Sequence, residues 1–182
     1  MVRYCLEFGG IILILLPVYL KLRKPWKREL KREIALAAFV LFMAGLLVLA
    51  LRGEYHAPAN MWRAACRRIA TGEGINFVPF RSIQNYFRYY GPDGFLVNFM
   101  GNIVMFMPWG FGLPLLWKRC QRVWVVAAHS MALTLFIETV QLFVGRSVDV
   151  DDLILNFAGS CLGACVYFLL RRKVFILQEL AG

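Results

Sequence analysis

"FIETVQLFVGRSVDVDDLILNFAGS", residues 136–160, sets two oily runs on either side of a short charged turn. Glu138, Arg146, Asp149, Asp151, Asp152 and Asn156 fall inside it, while almost everything around them is apolar. In a lipid environment each charge would be expensive, about 2.5–3.5 kcal/mol for an Asp, Lys or Arg at the centre of a membrane helix. Either this neighbourhood is not lipid, or the charges turn inward and serve a purpose.

The rest of the chain decides between these. Its 182 residues are 60% hydrophobic, with a mean hydropathy of +0.60. An ordinary soluble domain is about 45–50% apolar. The apolar residues are not dispersed. They fall in five blocks, at about 4–22, 34–51, 95–117, 123–144 and 153–170, close to the length that crosses a bilayer. A lone segment in lipid must satisfy its own backbone, so each block is predicted to be a helix. The fold class expected is all-α: a polytopic membrane protein of about five transmembrane helices. Pro17, Pro108 and Pro114 lie inside blocks and predict kinks rather than breaks. The first block carries Glu7, lacks a small-residue cleavage site and precedes a basic run, so it reads as a retained span.

The net charge of +10 would suit nucleic acid. The positions of the charges argue against that partner, because the basic residues sit at the ends of apolar blocks. Lys21, Arg23, Lys24, Lys27, Arg28, Lys31 and Arg32 lie between the first two blocks; Lys118, Arg119 and Arg122 between the third and fourth; Arg171, Arg172 and Lys173 after the fifth. These segments alternate so as to share one side, which the positive-inside rule makes the cytoplasm. The N-terminus, 52–94 and 145–152 are then expected outside and the C-terminus inside. The 52–94 segment itself holds six arginines, which weakens the bias.

That segment is the one sizeable region outside the blocks. "NMWRAACRRIATGEG" puts Met61, Trp62, Ala65, Cys66 and Ile69 on one helical stripe, with Arg63, Arg67 and Arg68 off it. "PFRSIQNYFRYYG" repeats the theme with Phe80, Ile83, Phe87 and Tyr90. Short aromatic and arginine-rich amphipathic helices lie in the headgroup layer. They form either an aromatic belt or a lid over a site. The five cysteines form no CxxC, and Cys161 and Cys165 are too few for a metal site. They share a helix with Gly159, Ser160, Gly163 and Ala164, small residues that let helices approach closely. His129 is remote from the acidic turn and is read as a plain hydrogen-bonding residue.

Spacing then brings the polar residues together. Thr134, Glu138 and Gln141 share one helical face, as do Asn98 with Asn102 and Asp152 with Asn156. Glu138 lies about six residues, or roughly 9 Å, from the outer end of its span. Three spans thus carry polar faces at one depth, and such faces turn into the bundle or toward water. The expectation is a polar pocket opening outward. Each residue also has a plainer reading. Asp149 or Asp152 would serve as an N-cap, the asparagines as interhelical glue, and Arg146 as a turn residue paired with an aspartate. Glu138 is harder to dismiss, since a carboxylate at that depth needs a partner or a proton. Asn102, Asn156 or Arg146 is its expected partner.

Four stretches in series carry a resemblance: "INFVPF" at 75–80, "NFMGNIVMFMPWGFGLPLLW" at 98–117, "IETVQLF" at 137–143 and "GRSVDVDDLILNFAGSCLG" at 145–163. Together they resemble the VanZ-like family of bacterial membrane proteins. The family's motif positions correspond to Asn76, Pro79 and Phe80; to Gly101, Asn102, Phe106, Pro108, Gly110 and Phe111; to Glu138 and Gln141; and to Arg146, Asp149, Asp152, Asn156 and Gly159. The resemblance implies a variable front over 1–74 with two spans, a VanZ-like core over 75–170 with three, and a basic tail over 171–182. The founding member is tied to teicoplanin-type glycopeptide resistance.

The pocket expected from spacing and resemblance together comprises Asn76, Arg81, Asn98, Asn102, Glu138, Gln141, Arg146, Asp149, Asp152 and Asn156. Two functions compete for it. In the first, a non-enzymatic membrane protein binds an envelope component or a glycopeptide antibiotic. In the second, an intramembrane enzyme acts on a lipid-linked cell-wall precursor. The second would use a divalent cation on Asp149, Asp151 and Asp152, with Arg146 or Arg81 on a phosphate. It lacks an activated nucleophile, since no Ser-His or Cys-His pair is placed for one.

Overall fold

The computed structural model describes residues 30–53 and 57–171. Helix α1 spans Leu30–Leu51 and α2 Pro58–Thr71; strand β1 is Ile75–Asn76; α3 spans Arg81–Leu116. A single 3-10 turn, Lys118–Cys120, leads to α4, Val123–Val144; strand β2 is Val148–Asp149, and α5 spans Val150–Leu170. Helices α1, α3, α4 and α5 are long and apolar enough to cross a membrane. They are the second to fifth apolar blocks. The first block, 4–22, lies outside the described residues, as do most of the basic residues that follow it. The protein is thus an all-α polytopic membrane protein, with one addition that no periodicity foretold, a parallel pairing of β1 with β2.

Three helices begin earlier than hydropathy placed them, α1 at Leu30 and two others for reasons the contacts show. α5 starts at Val150 because Asp149 caps it, its side chain accepting the N–H of Asp151. α3 reaches back to Arg81 and is broken once, at Gly91 (φ 68°, ψ −173°). A positive φ is cheap only for glycine, and Pro92 then suits the first turn of a new helix. The arm 81–90 is therefore set off from the membrane-crossing part. Pro108 and Pro114 stay inside α3, and Gly91 is the one residue of it with non-helical backbone angles.

α3 and α5 form the closest pair. A Cβ on Gly159 would strike the backbone of Ile103, one on Gly163 that of Met107, and one on Gly110 that of Ser160. The small-residue face of α5 is therefore seated on α3, with no room for side chains. α1 closes the bundle through Met43, Leu46 and Ala50, which pack with Phe106 of α3 and Ile137 of α4. Phe39 stacks on Trp109 at 5.7 Å. Leu41, Val97, Val104, Leu135 and Leu162 point outward, as on helices whose surroundings are apolar.

The two ends of the bundle differ. At one, Arg32 Nη2 of α1 donates to the carbonyl of Leu116 at 2.7 Å, near Lys118, Arg119 and Arg122. At the other, Gln141 Nε2 donates to the Ala50 carbonyl at 2.8 Å and Arg146 Nη1 to that of Leu49 at 3.0 Å. Arg32 and the 118–122 turn thus lie at the end of the bundle opposite the motif turn.

Candidate functional site

The motif end is built on the β1–β2 bridge, which registers Ile75 with Val148 and Asn76 with Asp149. Asn76 folds its own turn, its Oδ1 accepting the N–H of Val78 at 3.1 Å. Its Nδ2 donates to Asp149 Oδ1 at 2.9 Å and to Ser82 Oγ at 3.2 Å. Asp149 is also the α5 cap, through the Asp151 N–H at 2.9 Å, and accepts the Ser82 hydroxyl. Both of its oxygens are engaged.

Asp151 is almost wholly buried, at 1% exposure. Its carboxylate accepts the N–H groups of Phe80, Ser82 and Ile83. These are donors at the start of α3, whose own N-cap, Phe80, offers no side-chain bond. A helix N-terminus leaves such donors orphaned and favours a negative charge. Asp151 supplies both needs from another helix. Phe80 meanwhile sits at φ 65°, an uncommon conformation for an aromatic residue, secured by that bond.

Glu138 is buried, and its Oε2 accepts the N–H of Asp149 at 3.0 Å. This corrects the partner expected from sequence. It is the β2 backbone, not Asn102, Asn156 or Arg146, that reaches the carboxylate. Glu138 Oε1 is buried without a hydrogen-bond partner among the described residues, as are Gln141 Oε1 and Asn156 Oδ1. Gln141 turns toward α1, and Arg146 is exposed and caps the α1 C-terminus, rather than pairing with an aspartate. Asn156 is buried inside the bundle.

Asp152 differs from its neighbours. It is only half-buried, and its Oδ1 accepts the Asn102 amide at 2.7 Å. Its second oxygen has no hydrogen-bond partner among the described residues. Asp152, Asn98 and Asn102 line a narrow cleft with Ser82, Ile83, Tyr86, Phe95, Phe99 and Leu155. Phe95 and Phe99 stack at 5.2 Å along its wall. Arg81 is exposed at the first residue of α3, beside Ser82.

The ten residues expected in one pocket therefore divide. Asn98, Asn102 and Asp152 share the cleft, with Arg81 at its margin. Asn76 and Asp149 tie the two strands to Ser82. Glu138 holds β2 from below, while Gln141 and Arg146 bind α1. For the divalent-cation reading the donors do not fit. Every carboxylate oxygen of Asp149 and Asp151 is already engaged, and no cluster of three or more His, Cys, Asp or Glu is placed for a metal among the described residues.

Arg68 belongs with these residues, though the sequence reading placed it off the apolar stripe of α2. It is 5% exposed. Its guanidinium donates to the carbonyls of Glu73 (3.2 Å), Gly74 (2.9 Å), Gln141 (3.4 Å) and Leu142 (3.2 Å). It thereby joins the turn before β1 to the end of α4. The docked face of α2 is Ala64, Ala65 and Arg68, while Trp62 and Ile69 of the stripe stay exposed. Two alanines one turn before an arginine could have marked that face. His129 Nδ1 donates to the Val125 carbonyl at 2.8 Å, the plain role expected of it.

No curated protein and no solved structure matches the chain. A family model described as VanZ/LLP1 matches residues 35–171, from the first turns of α1 to the end of α5. It therefore takes in α1 and α2 as well as the four motif stretches, and the chain belongs to the VanZ/LLP1 family.

Proposed function

We propose that this VanZ-family membrane protein holds a component of the cell envelope, or a glycopeptide antibiotic, at the outer ends of α3, α4 and α5, and does not transform it. The outward orientation is supported by the basic residues at the opposite end. The observation that carries the reading is the contrast between Asp152 and its neighbours. Asp149 and Asp151 are spent on caps and strand pairing. Asp152 keeps an unclaimed oxygen beside two asparagines in an open cleft. A contribution to teicoplanin-type resistance would follow if the bound component is the antibiotic or its target.

A second reading is an intramembrane enzyme acting on a lipid-linked cell-wall precursor. It is supported by Glu138 Oε1, a buried carboxylate oxygen without a donor among the described residues. The test is purified protein in nanodiscs, offered labelled teicoplanin and radiolabelled lipid-linked precursor, with and without magnesium. Saturable retention of either, released unchanged, is the expected result. Turnover of the precursor would replace the first reading with the second. Retention of neither would end both.

A further inference from the structure

We propose that the cleft at Asp152 seats a primary ammonium group borne next to a phosphate, as in an ethanolamine-type lipid headgroup. This rests on the binding reading above and names the chemical class of what is bound.

Size comes first. The cleft has room for one water-sized group at most, about 10 Å³, the lower end of the roughly 10–15 Å³ that such a group needs. That excludes a sugar ring or a trimethylammonium and admits a hydroxyl or an –NH3+. Charge then separates those two. Asp152 brings a carboxylate whose second oxygen has no hydrogen-bond partner among the described residues; Arg146, the basic residue at this turn, acts on it through its charge alone, its Nη1 donating to the Leu49 carbonyl. The polar groups supply acceptors. The Asn102 amide nitrogen is used on Asp152 at 2.7 Å, which leaves its carbonyl oxygen, and Asn98 lies one turn earlier on the same face. An ammonium has three N–H donors and no acceptor, so it matches two amide oxygens and a carboxylate.

The apolar lining agrees. Tyr86, Phe95 and Phe99 contribute aromatic rings to the wall, and such rings attract a cation lying against them. Outside the cleft, Arg81 and Arg88 are exposed, and neither has an ion-pair partner among the described residues. Arg81 adjoins Ser82 of the wall and suits a phosphate. Phe77, Phe87, Tyr89 and Tyr90 are exposed around this arm, the residue types that settle at the headgroup level. A headgroup presented from the bilayer would meet the aromatics, then Arg81, then Asp152.

The experiment is native mass spectrometry of the protein released from nanodiscs containing equal parts phosphatidylethanolamine, phosphatidylcholine and phosphatidylglycerol. Phosphatidylethanolamine should be retained about tenfold over phosphatidylcholine, because the trimethylammonium keeps the charge but has no N–H donors and is too large for the cleft. Asp152→Asn should abolish that preference, and Arg81→Gln should weaken retention of both lipids alike. Circular dichroism establishes that each variant is folded. Should Asp152→Asn not fold, Asn98→Ala, which breaks no bond seen in the fold, gives the same comparison. A parallel titration with soluble glycerophosphoethanolamine identifies the source. Competition at millimolar concentration supports a free amine ligand, and competition only by the lipid supports the headgroup. Equal retention of the two zwitterionic lipids, or a preference that survives Asp152→Asn or, where that variant does not fold, Asn98→Ala, overturns the proposal. Teicoplanin or precursor binding in that case would leave the broader binding reading intact, so the two failures are distinguishable.

Discussion

The carboxylate of Asp151, at the start of α5, accepts the N–H of Ser82, at the start of α3, at 2.8 Å. Two helix N-termini distant in sequence are thereby held side by side, one capped by Asp149 of its own chain segment and the other by Asp151 from across the bundle. The cleft lies between them. Its shape depends on this cap.

Asp151→Ala is accordingly expected to destabilise the protein by roughly 1–3 kcal/mol, since three part-buried donors lose their acceptor together. Asp152→Ala should cost clearly less, because Asp152 is half-open to solvent. Thermal unfolding of both variants in the same detergent checks this. Equal losses would mean that the cap does not hold the end of the bundle.

Arg68→Met keeps the bulk of the side chain and removes the guanidinium. Four carbonyls lose a donor, two of them at the end of α4, though Gly74 keeps the Val148 N–H and Gln141 those of Gly145 and Arg146. The expected loss is about 3 kcal/mol, as charged hydrogen bonds contribute roughly 1.5–3 kcal/mol each without adding fully. Denaturation by a chaotrope in micelles measures it. A variant as stable as the parent would show that the turn before β1 stands without Arg68.

Glu138→Gln retains an oxygen that can accept the Asp149 N–H and removes the charge. Folding should therefore hold. If Glu138 also serves the binding end, retention of the labelled ligand should fall about tenfold. Both quantities need measuring on one preparation. Loss of binding only in proportion to loss of folded protein would reduce Glu138 to a support for β2.

Gly159→Leu and Gly163→Leu drive side chains into the backbone of α3 at Ile103 and Met107. Overpacking of this kind costs about 1–3 kcal/mol even where side chains alone must move, so the yield of monodisperse protein should collapse. Gly101→Ala faces open space and should be neutral. Unchanged yield for both leucine variants would place this face of α5 in lipid.

Orientation is open to a direct check. In a background without native cysteines, Ser147→Cys should react with an impermeant thiol reagent on intact cells, and Lys118→Cys only after permeabilisation. The reverse pattern would put the cleft on the cytoplasmic side and defeat an envelope ligand.

Taken alone, the sequence determined what depends on local chemistry. Runs of apolar residues of bilayer length have few alternatives to helix, so α1, α4 and the lipid-crossing part of α3 fell where hydropathy put them. The Gly159–Gly163 face announced a close helix pair, because small residues at one-turn spacing do little else. The polar turn could be recognised as one cluster, since i, i+4 spacing fixes a face.

Only the tertiary structure decided how that cluster divides its work. Asp149, Asp151 and Asp152 are alike in type and nearly adjacent in sequence, yet one caps its own helix, one caps another, and one opens on a cleft. The difference lies in which donors each carboxylate meets, and those donors come from segments distant along the chain. Burial of Arg68 is of the same kind. On the isolated helix α2 it belongs to the polar side, and it turns inward because the carbonyls ending α4 are there to receive it.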